Sequence, residues 1–296
     1  MLSAGPVMIP AVPTARELLR QAERELKASD AVDHPHGGKE LADAEEILAF
    51  VLRRQPRSEE EVGGPALARF RRLLRRRLTG EPVAYLTGRI EFLGLELEVS
   101  RGAFIPRQSS EFMAEQTIKR LRGRRRPVHV DVATGVGPVA LAVAAKLRSS
   151  RVYGVDVSAR PLGLARRNAR RLRLSNVRFL RGDLFAPLPA ALAGRVDVVT
   201  IHPPYVPRRE VRSLPEEILR FEPEEALTDY SPRGDRIVRR VAQDAPAWLR
   251  PGGWLLIEVS PDRARGVATV LRRAGFRQVR STKGWVAVSR VVVGRT

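Results

Sequence analysis

Four stretches of the chain carry residues able to do chemistry, and they follow one another at comparable intervals. They are Asp131-Val132-Ala133-Thr134-Gly135-Val136-Gly137-Pro138, then Asp156, then Gly182-Asp183-Leu184-Phe185, and last His202-Pro203-Pro204-Tyr205. Gly135 and Gly137 let the backbone pass close to a ligand, with Ala133, Thr134 and Val136 as the rest of the loop. A carboxylate such as Asp156 only accepts hydrogen bonds, which suits both hydroxyls of a ribose. Asp183 is placed to accept from an exocyclic adenine amino group, and Leu184 to cover the ring. The two prolines fix the backbone, so the carbonyls of His202 and Pro203 are expected to face a crevice, with Tyr205 as a wall for a planar group. The loop is not a dinucleotide fingerprint, because the third glycine is missing and Asp131 puts an acid where pyrophosphate would want none. No Gly-Lys-Ser or Gly-Lys-Thr triplet exists to make a P-loop. A ribose site and an adenine site without a phosphate loop point to S-adenosylmethionine. Each acid alone is more readily a helix cap or turn residue; at the ends of three successive strands they support one another.

The elements that must position these residues are legible in the periodicity. Strand-like runs at Val128 to Ala133, Arg151 to Val157, Val177 to Arg181, Val196 to Ile201 and Gly253 to Val259 alternate with helical ones ending near Leu147 and Leu172 and spanning about Arg236 to Leu249. That alternation predicts an α/β domain with a mostly parallel sheet. A helix near Arg263 to Ala274, then strands at Arg277 to Ser281 and Trp285 to Val293, predict an antiparallel edge. Before this domain, Thr14 and Glu17 have capping-box spacing, and Leu18, Leu19, Ala22 and Leu26 share a helical face. Further helices are expected from Leu41 to Arg53 and from about Pro65 to Leu78. Between Ile90 and Val99 alternation around Gly94 predicts a hairpin. The expected division is a helical domain over 1–88, a β-hairpin linker over 89–104 and an α/β domain over 105–296.

Composition limits what else the protein is. The 296 residues are 43% hydrophobic and 29% charged, the balance of a folded globular chain. No apolar run approaches the roughly 18 residues a membrane span needs, and Met1 to Pro13 lack a basic start with an apolar core, so the expected place is the cytoplasm and no membrane contact is expected. The absence of cysteine excludes disulfides, thiolate zinc sites, Fe–S clusters and a cysteine nucleophile. Four histidines leave little for a metal site, and none is expected. A net charge of +20 favours an anionic partner. Only five basic residues are lysine, however, so the arginine excess equally fits a G+C-rich coding sequence. Arg71, Arg72, Arg75, Arg76 and Arg77 form an expected basic face that could touch RNA or the ribosome.

The chain resembles the HemK-like (PrmC-type) release-factor glutamine N(5)-methyltransferases over nearly its whole length. Gly80-Glu81-Pro82-Val83-Ala84-Tyr85-Leu86-Thr87-Gly88 and Glu91-Phe92-Leu93-Gly94-Leu95 are similar to the family's interdomain segment, and Phe104-Ile105-Pro106-Arg107 with Glu111 to its Leu-Ile-Pro-Arg motif. Phe221-Glu222-Pro223 and Pro251-Gly252-Gly253 also match. The resemblance implies a class I S-adenosylmethionine-dependent methyltransferase fold, Rossmann-like, behind a small helical domain, with a peptide chain release factor as substrate. His202 to Tyr205 align with the family's Asn-Pro-Pro-Tyr box, in which the Asn side chain and a proline carbonyl hold the glutamine amide. Here that Asn is His202, the loop starts with Ala133, and Tyr230 to Asp235 lacks the usual Gly-rich segment. Those departures leave two other readings: methylation of a nucleic-acid base or small-molecule amine, or a non-catalytic cofactor- or RNA-binding paralogue.

Overall fold

The Thr14 hydroxyl accepts from the Glu17 amide at 3.3 Å while the Glu17 carboxylate accepts from the Thr14 amide at 2.8 Å, so the spacing makes the reciprocal cap it predicts. The structure is a computed structural model that describes residues 12–33, 38–284 and 288–296. Two compact units make up the chain. Among the described residues no helix is long and apolar enough to cross a membrane.

The helical unit runs to Thr87 and includes Pro215–Arg220 from much later in the chain. Its helices are α1 (Ala15–Lys27), α2 (Lys39–Leu52), α3 (Gly64–Leu78) and α4 (Val83–Thr87). Leu18, Ala22 and Leu26 of α1 pack with Ala44, Ile47 and Leu48 of α2 and with Phe70, Leu73 and Leu74 of α3. The basic face of α3 differs from expectation at one position. Arg71, Arg72, Arg75 and Arg76 are exposed, but Arg77 is fully buried, its guanidinium donating to Asp43 at 2.7 Å and to Glu217 at 3.0 Å. Burial pushes the Asp43 carboxyl above its ordinary range, and the Arg77 charge opposes that rise. Lys39 also reaches Glu217, at 3.3 Å.

The larger unit begins with the hairpin β1 (Arg89–Phe92) and β2 (Leu95–Glu98), which turns on Leu93 and Gly94, both at positive φ. The hairpin shares a core with its own unit through Phe92 and Leu97. A helix that the periodicity did not announce, α5 (Ser109–Leu121), follows; Gln108 caps it without a side-chain bond and it is apolar on more than one face. Then come β3 (Val128–Val132), α6 (Pro138–Lys146), β4 (Arg151–Asp156), α7 (Ala159–Arg171), β5 (Val177–Arg181) and β6 (Val196–Ile201). After a short α8 (Glu216–Phe221), which but for Phe221 belongs to the helical unit, the chain continues through α9 (Arg236–Trp248), β7 (Leu249–Val259), α10 (Pro261–Arg273), β8 (Arg277–Lys283) and β9 (Arg290–Arg295). The strand expected from Trp285 starts, among the described residues, at Arg290; residues 285–287 lie outside them.

The seven strands lie in the order β5-β4-β3-β6-β7-β9-β8, with β3 to β7 parallel and β8 and β9 antiparallel at one edge. Valines and isoleucines dominate the buried strands because both faces are covered. Helices α5, α6 and α7 cover one face with the cluster around Met113, Leu141 and Leu162, and α9 and α10 cover the other around Val241 and Leu271. The chain builds β3, β4 and β5 outward, then returns to place β6 on the far side of β3. That reversal opens a crevice at the carboxyl ends of the strands.

Candidate active site

One cavity at those strand ends is lined by Asp131 of β3 with Ala133, Thr134, Gly135 and Val136 after it, Asp156 at the end of β4, Asp183 and Leu184 after β5, and His202, Pro203 and Pro204 after β6. The β3 loop is held in left-handed conformations, with φ of 52° at Ala133, 57° at Gly135 and 84° at Gly137. A Cβ on Gly135 would meet no protein atom, so this edge is open to a ligand. Gly137 is not on the cavity wall; a Cβ there would stand 2.8 Å from the Phe179 ring, and its role is to start α6.

Asp131 is buried and accepts from Thr134 Oγ1 and from Thr200 Oγ1, each at 2.6 Å. Burial pushes its carboxyl up to about 6, the two hydroxyls hold it down, and the nearby Asp156 charge adds to the rise. Thr200 is opposite Asp131 in the β3–β6 register. Since its one proton goes to Asp131, the Thr200 oxygen accepts from His129 Nε2, 2.8 Å away. Burial lowers His129 to about 3, so that ring is neutral.

Asp156 accepts the Gly135 amide at 2.8 Å through one oxygen and the Ser158 amide at 2.9 Å through the other. Each oxygen keeps a second lone pair for a ligand. Burial raises its pKa and the backbone donors oppose the rise. Asp183 is different: it is half-exposed and engaged by both terminal nitrogens of Arg240, the shorter contact 2.7 Å. Leu184 is buried, with φ of 48°.

His202 leaves β6 beside a residue the sequence reading missed. Ile201 is paired with Ile257, so the next residues, His202 and Glu258, emerge side by side. His202 Nδ1 lies 3.4 Å from Ser110 Oγ and 4.0 Å from Glu258 Oε2. Burial lowers the His202 pKa, Glu258 opposes that effect and Arg107 reinforces it. Phe104 meets the imidazole edge-on at 5.6 Å and lines the cavity. Tyr205 does not line it; it stacks on His202 at 5.8 Å and packs against the sheet core. Arg107 lies over Phe104 at 4.5 Å and pairs with Glu222, which also accepts the Ile105 amide. Asp229, another missed residue, takes the amides of Ser231 and Ile237 and so shapes the far wall. Gly234, in the segment short of glycines, stands where a Cβ would be 2.0 Å from the Tyr205 carbonyl. The signal for Glu258 was available: it is the single charge in the apolar run Leu255-Leu256-Ile257-Glu258-Val259.

Residues 130–221 match a family model described as a methyltransferase domain, and residues 17–88 match one described as a PrmC N-terminal domain. The release factor glutamine methyltransferase of Burkholderia pseudomallei is 38% identical over 81% of this chain and 84% of its own. That of Moorella thermoacetica is 35% identical over 88% and 91%, and that of Vibrio cholerae 33% over 95% and 96%. Among solved structures, a Thermus thermophilus 16S rRNA N2 G1207 methyltransferase in complex with AdoMet and guanosine superposes with a TM-score of 0.51 at 19% identity, over 70% of this chain and 49% of its own, a likeness of fold. The methyltransferase match spans the β3 loop through the His-Pro-Pro-Tyr turn, the helical match spans α1 to α4, and the relatives, covered over most of their length, join both: the chain belongs to the release factor glutamine methyltransferase family.

Proposed function

We propose that this chain transfers a methyl group from S-adenosylmethionine to the side-chain amide nitrogen of a glutamine in a peptide chain release factor. The observation that carries the reading is the meeting, in one cavity, of the β3 loop, Asp156 and the His202-Pro203-Pro204 turn in a chain whose relatives bear that name. The donor set suits the cofactor. Asp156 has lone pairs for the ribose hydroxyls, Leu184 and Asp183 serve the adenine, with Arg240 sharing the Asp183 carboxylate, and Asp131 with the loop from Ala133 to Val136 faces the cationic portion. When bound, S-adenosylmethionine supplies an electrophilic methyl group on a sulfonium.

The protein's own contribution is to orient the acceptor, because in-line methyl transfer gains most from proximity. The Pro203 carbonyl and a neutral His202 take the amide hydrogens that the family's Asn and proline would take, and Tyr205 braces the His202 ring. The helical unit recognises the release factor in the cytoplasm, and the exposed arginines of α3 offer contact to RNA or the ribosome. His202 in place of Asn also supports a second reading, in which the acceptor is a base or small-molecule amine.

The experiment is transfer of labelled methyl to purified release factor and, in parallel, to protein, nucleic-acid and small-molecule fractions of a lysate. Label on a release-factor glutamine, located by peptide mass, is the expected result. Label confined to another fraction moves the acceptor to the second reading. No label anywhere, with cofactor binding intact, leaves a non-catalytic protein.

A further inference from the structure

Glu258 is almost wholly buried at the end of β7, and neither carboxylate oxygen has a hydrogen-bond partner among the described residues. Burying a carboxylate without a partner is strongly unfavourable, so such a group calls for a use. Among the described residues, His202 Nδ1 stands 4.0 Å from it, with Ser110 Oγ 3.4 Å from the same nitrogen. The other nearby cation, Arg107, is committed to Glu222. His202 itself is one-fifth exposed and lines the cavity.

A neutral imidazole carries its proton on one nitrogen, and the neighbour of that nitrogen decides which. A carboxylate only accepts, so Glu258 favours a hydrogen on Nδ1 and leaves the lone pair on Nε2. We propose that Glu258 is a positioning residue that holds His202 in its Nδ1–H form, so that Nε2 accepts the proton the methyl acceptor sheds. Deepening the proposed amide methylation, this inference rests on that reading for the identity of the acceptor only. Methyl transfer from a sulfonium to nitrogen forms one C–N bond, breaks one C–S bond with its electron pair going to sulfur, and leaves the nitrogen one proton to lose. That proton passes to Nε2, the resulting imidazolium faces Glu258, and the proton then leaves to water.

The groups around the ring fit the task. Glu258 from β7 favours the imidazolium; Arg107, from the segment before α5, and burial oppose it. Ser110 from α5, Phe104 and Tyr205 add no charge at neutral pH. The ring is therefore neutral before transfer and has a counter-ion waiting after it.

Nitrogen-15 spectra of histidine-labelled full-length protein give the first test, with the His202 signals assigned by their loss in His202→Asn. The expected wild-type pattern is a protonated Nδ1 and an unprotonated Nε2. A protonated Nε2 in the neutral ring overturns the proposal, and because no turnover is needed, this result stands whatever the acceptor proves to be. The second test is Glu258→Gln, expected to lower the His202 pKa and reduce kcat by about tenfold or more, with acceptor KM within about twofold. Combined with His202→Asn, it is expected to cost no more than His202→Asn alone. An unchanged His202 titration in Glu258→Gln, or full additivity of the two substitutions, overturns the assignment.

Discussion

Thr200 and Asp131 face each other across the β3–β6 pair, and the Thr200 hydroxyl donates to Asp131 Oδ1 at 2.6 Å. With Thr134 donating to the other oxygen, the two hydroxyls steady the carboxylate against the rise that burial imposes.

Because burial pushes Asp131 up to about 6, its charge is present above that pH and absent below it. The affinity for the cationic S-adenosylmethionine is expected to fall about tenfold between about pH 7.5 and 5. Titration calorimetry across this range checks the expectation. Asp131→Asn should bind more weakly at neutral pH and show a much flatter profile; an equally steep profile in that variant would assign the dependence elsewhere.

His129 and Asp131 pull stability in opposite directions with pH. The folded His129 pKa is lowered to about 3, so its contribution is present above the ordinary histidine value near 6.5 and is lost as pH falls toward 3. The folded Asp131 pKa is raised, so its contribution is present at acid pH and is lost as pH rises through about 6. His129→Gln, whose amide can still donate to Thr200, is expected to remove an acid slope of up to about 1.4 kcal/mol per pH unit. Urea melts at neutral and acid pH read this directly, and a wild-type slope retained in the variant would refute it.

Gly137→Ala places a Cβ 2.8 Å from the Phe179 ring at a φ of 84°. The strain alone is worth about 1–2 kcal/mol, and the contact adds to it. Gly135→Ala, at 57° with no clashing atom, is expected to cost only the strain yet to weaken cofactor binding, since its open edge faces the cavity. Thermal melts paired with binding isotherms separate the two; equal melting temperatures would remove the distinction.

Arg77→Ala leaves Asp43 and Glu217 without the guanidinium that holds both. The expected loss is about 3 kcal/mol or more, because one partner of a buried ion pair has gone. Glu217→Gln keeps a partner for the guanidinium and is expected to cost less. Denaturant melts of the full chain with a probe in the helical unit rank the two, and the reverse order would contradict the arrangement.

Asp131, Asp156, Leu184 and His202 were legible because each follows an apolar run with strand periodicity, and Thr14 with Glu17 because capping is local. What stayed hidden depends on contacts distant in sequence. Glu258 becomes a neighbour of His202 only when β6 pairs with β7, and Arg77 looks like any surface arginine until Asp43 and Glu217 close around it. Helix α5 escaped because its burial on several faces blurs the periodicity. Tyr205 shows the reverse limit: its place in the motif was plain, but its direction, onto His202 rather than onto the cavity, was not.

The six residues Pro215–Arg220 belong to the helical unit although the segments on either side of them, Pro203–Pro204 and Pro223–Ile237, reach the cavity. The helical unit is thus assembled from two stretches far apart in the sequence. A gene fragment that began at Gly88 would strip Glu217 of its partners Arg77 and Lys39. Recombination that swapped the first 87 residues for another helical segment would have to rewrite Pro215–Arg220 as well, so the two stretches of this one unit must be inherited together.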